Sequence, residues 1–316
     1  MTSRAIFPTL GSALGALLLS SLLHSTVLSA AAPAKPVQKT FPSAQAAADA
    51  LVAAAEKFDV EALKAILGPE GIDLVVTEDA VQDKNQATTF AAKAREKLTV
   101  ATDPKNPKKA TLMTGPGDWP MPIPIVKKGS TWRFDTVAGR REMLFRRIGR
   151  NELDAIQVCR GFVEAQHEYA SKRRDGARVN QYAQKIVSTP GRQDGLAWKN
   201  PDGTWDGPVG EGIARVIAEG YSDRYEPYHG YYFKVLKGQG PSAPLGQMDF
   251  VVQGAMIGGF ALVAAPADYD VTGVMTFIVS HDGVVWQKNL GPKTLESFRA
   301  MERFDPDKSW NPVLDD

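Results

Sequence analysis

The chain has 316 residues, 37 basic against 36 acidic side chains and a formal net charge of +1. That balance argues against nucleic acid or an anionic membrane surface as the main partner. A single cysteine, Cys159, excludes an internal disulfide and a cysteine-built zinc site, so the fold depends on its core, for which 43% hydrophobic content is enough.

Arg4 gives the chain a positive start, residues 10–23 are an apolar run, and small residues follow to Ala34. This three-part pattern predicts a signal peptide over residues 1–34, cut after Ala31 or Ala34. The run is short for a membrane span, which needs about 20 apolar residues. The alternative is retention as an uncleaved anchor. Loss of Arg4 with the leader leaves a formally neutral chain. The expected address is periplasmic or secreted, with no stable membrane insertion after cleavage.

Residues 35–42, rich in Pro and Lys, read as a linker. An N-terminal α+β domain is expected over residues 43–137. Ser43 caps a helical stretch over 44–67, broken at Asp59 and closed by Gly68-Pro69-Glu70-Gly71. Residues 74–76 read as extended, 84–98 as helix, 103–109 as a Pro/Lys loop and 109–113 as a strand. The alternating prolines of Trp119-Pro120-Met121-Pro122-Ile123-Pro124 predict an edge or polyproline-like strand. The chain turns at 127–130 and returns over 131–135.

A second domain is expected over 138–316. Residues 138–171 read as helix with Gly149 as a possible joint, and 182–187 as one or two further helical turns. Residues 189–212 read as loop anchored by Trp198 and Trp205, and 213–219 as a short helix. Short β-branched and aromatic runs at 230–236, 260–266, 273–279 and 284–286 predict an antiparallel sheet. Asp282-Gly283 is a hairpin signal between the last two. Alternation sends Tyr231, Phe233 and Val235 to one face, and Tyr232 and Lys234 to the other. Residues 294–304 read as a last helix and 305–316 as an irregular tail. The fold class is α+β: N-terminal helices with a curved antiparallel sheet, then a long helix packed on a C-terminal antiparallel sheet.

Several motifs agree in order: Asp118-Trp119-Pro120-Met121-Pro122, Arg146-Arg147-Ile148-Gly149-Arg150-Asn151-Glu152, Pro227-Tyr228-His229-Gly230-Tyr231, Gly273-Val274-Met275-Thr276-Phe277 and Phe304-Asp305-Pro306-Asp307. Together they resemble a bacterial exported family, DUF 2950, over residues 41–316. That resemblance implies no established activity. The second half also resembles the globular part of type IV pilin and pseudopilin subunits, through Ala165-Gln166, Tyr169, Gly230-Tyr231, Ala264-Ala265-Pro266 and Asp282-Gly283. Those proteins carry a hydrophobic N-terminal helix, continuous with this one, that polymerises in the membrane. Here a soluble domain is expected to precede the helix and the hydrophobic segment is the leader far upstream, a departure that speaks against pilus assembly by that route. The first domain loosely resembles the nuclear-transport-factor-2-like cone.

Chemistry is sparse. After the leader, His167, His229 and His281 remain, and no two stand at metal-ligand spacing. No Gly-x-Ser-x-Gly motif is present. Cys159 shares an apolar helical face with Ile156, Phe162 and Val163, so it reads as a buried small hydrophobe. Asp202, Asp206, Asp268 and Asp270 are loop oxygens open to calcium, without EF-hand order. Tyr221, Tyr225, Tyr228, Tyr231, Tyr232 and Phe233, with His229 among them, form the densest aromatic stretch. Within it Tyr228, His229 and Tyr232 are a candidate binding surface, because such rings present an apolar body and a polar tip. Arg146, Arg147 and Arg150 form a candidate anion or interdomain cluster. Trp119, Trp132 and Asp135 are a candidate pocket in the first domain.

The reading leans away from catalysis and expects no cofactor. It favours a non-catalytic binding or scaffold protein of the cell envelope, whose partner is an envelope protein or a polysaccharide. The alternatives are an enzyme with a pocket in the first domain, or an assembly subunit related to pseudopilins.

Overall fold

The computed structural model describes residues 37–76, 80–212 and 227–314. The expected leader, the expected helix over 213–219, Tyr221 and Tyr225 lie outside these residues. The chain is an α+β protein with two cores, and one long helix starts against the first and is built into the second.

The first core is built from three helices, α1 (Ala44–Glu56), α2 (Val60–Leu67) and α3 (Ala80–Glu96). Ser43 caps α1 by accepting from the Ala46 N–H at 3.0 Å, and Asp59 caps α2 through the Ala62 N–H at 3.0 Å. Each cap satisfies a backbone donor that the first turn leaves unpaired. The helices cover an antiparallel sheet of β1 (Leu98–Asp103), β2 (Asn106–Thr114), β3 (Trp119–Pro120), β4 (Ile125–Lys128) and β5 (Thr131–Phe134). Its order is β1-β2-β4-β5, with β3 also on β2. Leu51, Leu63, Ile66, Leu67, Leu112, Ile123, Ile125 and Phe134 fill the space between.

Some expectations change here. Residues 74–76 are not extended: a 3-10 turn spans Ile72–Leu74. The stretch at 103–109 is the tip of the β1–β2 hairpin rather than a loop, with β2 already paired at Asn106. Residues 38–41, read as linker, are tied to the first core. Gln38 Nε2 donates to the carbonyls of Ile66 and Phe134, and Phe41 exchanges two backbone hydrogen bonds with Trp132.

Asp135 caps the long helix α4 (Thr136–Ala170), 35 residues or about 52 Å of axis. It runs unbroken through Gly149, whose missing side chain faces open space. At its start, Gly139 lies against Ile123 so closely that a Cβ would meet Ile123 Cγ1 at 2.7 Å. Ala155 and Cys159 belong to the second core. At 100° per residue they sit about 160° and 200° round the helix from Gly139. The two cores therefore pack on opposite faces of α4.

After α4 the expected helical turn at 182–187 is replaced by isolated bridges, with the Tyr182 N–H bonded to the Met256 carbonyl at 2.8 Å. A small hairpin, β6 (Trp198–Lys199) with β7 (Trp205–Asp206), follows. The main sheet uses β8 (Tyr231–Leu236), then come two short pairs: β9 (Gly238–Gln239) with β10 (Met248–Asp249), and β11 (Val251–Val252) with β12 (Ala255–Met256). The sheet continues with β13 (Ala261–Pro266), β14 (Met275–Ser280), β15 (Val285–Asn289) and β16 (Asn311–Pro312), in the antiparallel order β16-β15-β14-β13-β8. A helix α5 (Thr294–Ala300), shorter than expected, lies against β13. All six residues of β13 are buried, because α4 and α5 both pack on it, and its run Ala-Leu-Val-Ala-Ala-Pro suits a strand covered on both faces.

The alternation along β8 appears as read. Tyr231 is buried in the second core, with Phe233 and Val235 packed against it. Tyr232 faces Phe298 of α5 at 6.4 Å between ring centres, and Lys234 Nζ donates to the Arg299 carbonyl.

Candidate functional site

The turn before β8 is a two-residue hairpin. Tyr228 and Tyr231 exchange both backbone hydrogen bonds, at 2.9 and 3.0 Å, across His229 and Gly230. Both central residues have positive φ, 45° and 76°, the signature of a type I′ turn. Glycine is required at 230 for space as well as conformation, since a Cβ would meet Asn151 Nδ2 at 2.7 Å. Tyr228 stacks on His229 with ring centres 4.1 Å apart.

Three neighbouring polar residues of α4 hold this end of the sheet. Asn151 Nδ2 donates to the Thr272 carbonyl at 2.9 Å. Glu152 Oε1 accepts from the backbone N–H groups of Val274 and Met275, at 2.8 and 3.0 Å. The Asp154 carboxylate lies 2.7 Å from His229 Nδ1, with both side chains partly exposed. A glutamate that ties two backbone donors and an aspartate that orients an imidazole leave the His229–Tyr228 pair preset against α4. Sequence reading singled out His229 but missed Asp154. The signal was the three polar residues Asn151, Glu152 and Asp154 just before the turn where the apolar face of Ala155, Ile156 and Cys159 begins.

At the other end, Arg146 binds the first unit. Its Nη1 donates to the Pro120 carbonyl at 2.8 Å, its Nε pairs with Glu142 at 2.8 Å, and its guanidinium lies 5.6 Å from the centre of the Trp119 ring. Trp119 is 64% exposed. Arg147 and Arg150 are exposed. Arg146, Arg150 and Asp154 stand at i, i+4 and i+8, so they form one edge about 12 Å long that turns by about 40° per step. Met143, Arg147 and Arg150 are neighbours on the same side by their i, i+4, i+7 spacing.

This edge brings together Trp119, the arginine cluster, His229 and Tyr228. Tyr232 is not among them, being turned onto α5. The three residues of the expected N-terminal pocket are not gathered. Trp119 is opposite Thr114 on β2, whereas Trp132 lies beyond the Val126–Lys109 pair, at least about 17 Å away along the strand. Lys127 covers Trp132 at 5.9 Å, and the Asp135 carboxylate is taken by the helix cap. The loop aspartates do not converge either. Asp202 accepts from Thr204, and Asp206 from the Gly207 N–H. Among the described residues no three His, Cys, Asp or Glu side chains gather as a metal site.

The architecture is thus an α+β protein built on one helix whose start seats against the first core and whose later turns carry the second core on the opposite face. The cationic, aromatic-flanked edge continues the face that Gly139 turns to the first core. The chain belongs to the DUF2950 family: the family model, described as a protein of unknown function, matches residues 38–313. No curated protein and no solved structure matches the chain. Among the described residues no helix is long and apolar enough to cross a membrane.

Proposed function

We propose that this is an exported, non-catalytic binding or scaffold protein of the cell envelope, and that the α4 edge from Trp119 to Tyr228 is its recognition surface. One observation carries the reading. Residues more than 100 positions apart in sequence are set in a single row by contacts that orient them, Trp119 by Arg146 and His229 by Asp154. Side chains held in place before binding lose less freedom when a partner arrives. Export is supported by the leader pattern. N-terminal sequencing of the exported chain should begin at Ala32 or Lys35, and a product that keeps residues 10–23 and sediments with membranes refutes export.

A photo-reactive residue at position 143 tests the surface in cells. Met143 is exposed beside Arg147 and Arg150, while Leu245 is 90% exposed on a loop between β9 and β10. A discrete adduct from position 143, absent from position 245, is the expected result. Equal adducts from both positions, or none from 143, overturn the surface.

A further inference from the structure

The charges along the middle of α4 do not balance. Between Arg140 and Asp154 the helix carries three carboxylates, and each is engaged within the chain. Glu142 pairs with Arg146, Glu152 accepts from two backbone N–H groups, and Asp154 meets His229. Arg140 pairs with Asp73 at 2.7 Å. Arg141, Arg147 and Arg150 are left exposed, with no hydrogen bond or ion pair to their side chains among the described residues, and of these Arg147 and Arg150 lie on the side of Met143. This local excess of positive charge stands in a chain whose total charge is +1, so it is a property of the edge and not of the whole molecule.

We infer that the ligand of this edge is an acidic segment of another protein, whose carboxylates pair with Arg147 and Arg150 while its apolar groups meet Met143 and Trp119. The inference rests on the reading of this edge as a recognition surface. Charge complementarity supplies the acidic character, because a guanidinium presents a planar fork that matches a carboxylate. The neighbouring residue types favour protein over polysaccharide. Arginine, tryptophan, tyrosine and methionine are the types enriched in protein interfaces, and lysine, which is depleted there, is absent from this stretch of α4. The exposed side chains of Met143 and Trp119 add apolar area next to the charges.

The test uses the mature protein and poly-L-glutamate as probe, with polygalacturonate as the anionic polysaccharide and poly-L-glutamine as the neutral polypeptide. Wild type is expected to bind poly-L-glutamate in preference to both others. The Arg147→Glu/Arg150→Glu variant should bind at least about tenfold more weakly, and so should wild type when salt shortens the screening length from about 10 Å to about 3 Å. Lys105→Glu/Lys108→Glu makes the same charge change on the exposed β1–β2 tip and should bind like wild type. Arg147→Gln/Arg150→Gln provides a milder second variant, and circular dichroism confirms that each is folded. Preference for polygalacturonate overturns the protein class, and equal loss in the Lys105/Lys108 variant overturns the location. If position 143 still cross-links in the Arg147→Glu/Arg150→Glu variant, the acidic ligand falls while the recognition surface stands. Loss of the adduct there, together with weaker poly-L-glutamate binding, supports both.

Discussion

Replacing Tyr231 by Ala perturbs an enclosed contact between β8 and the second core. The ring is 1% exposed, its hydroxyl donates to the Met275 carbonyl at 2.9 Å, and the Phe277 ring lies 6.0 Å away. Burial of an aromatic ring removes about 150–250 Å² from water, and at roughly 25 cal/mol per Å² that is about 4–6 kcal/mol as an upper bound. Truncation of buried aromatics costs about 3–5 kcal/mol, a large part of the 5–15 kcal/mol that holds a domain together. Tyr231→Phe keeps the ring and loses the hydroxyl bond, so it should cost only about 1–2 kcal/mol. His229→Ala loses a partly exposed pairing with Asp154, and about 1 kcal/mol is expected. Urea denaturation of the three variants beside wild type gives the ranking. A second arm uses Gly273, where a Cβ would meet Tyr231 Cζ at 2.6 Å. Gly273→Ala should be strongly destabilising alone and much less so combined with Tyr231→Ala, because the ring it collides with is gone. Should His229→Ala cost as much as Tyr231→Ala, the turn is part of the core and the proposed recognition edge loses one end. Strictly additive effects of Gly273→Ala and Tyr231→Ala would refute the packing argument.

Burial pushes the Cys159 thiol up to about 12, so a thiol reagent at pH 8 should label it only after denaturation, and rapid labelling of the native protein would contradict its placement. Burial works against the charged form of Asp194, but hydrogen bonds from Lys185 and Thr189 outweigh it and hold the carboxyl down to about 2. Its stabilisation is full above the unfolded value near 3.8 and is lost as pH falls toward 2. The melting-temperature gap between wild type and Asp194→Asn should therefore close over that window, and a constant gap down to pH 2 refutes the assignment. Gly139→Val forces a branched side chain against Ile123 and should cost at least about 1–3 kcal/mol, read as an early unfolding step of the first core. A neutral result means that α4 does not seat there.

Local chemistry was legible where neighbours in sequence are neighbours in space. Ser43 and Asp59 cap the two helices they precede, and Gly283, at φ 78°, makes the hairpin that Asp282-Gly283 signalled. The two faces of β8 followed from alternation alone. The β1–β2 hairpin did not, because Pro107 and its lysines describe a solvated tip and not a strand. Gly149 suggested a joint, yet α4 is continuous, its ends held by different cores. The proposed recognition edge was half visible. The arginines lie within five residues of one another, but Asp154 and His229 are 75 positions apart and Arg146 and Pro120 are 26 apart. No periodicity encodes such pairs, which exist only once both cores have docked on the helix.

Because the cores sit on opposite faces of one helix, the number of residues between Gly139 and Ala155 sets the dihedral between the two halves of the molecule. One inserted residue near Gly149 would swing the second half by about 100° and shift it by about 1.5 Å, carrying His229 out of line with Trp119. A seven-residue insertion, close to two full turns, would restore the angle to within about 20° while lengthening the row by about 10 Å. Length changes in this stretch of α4 should therefore be accommodated best in steps of whole helical turns, and each such step separates the two ends of the proposed recognition edge.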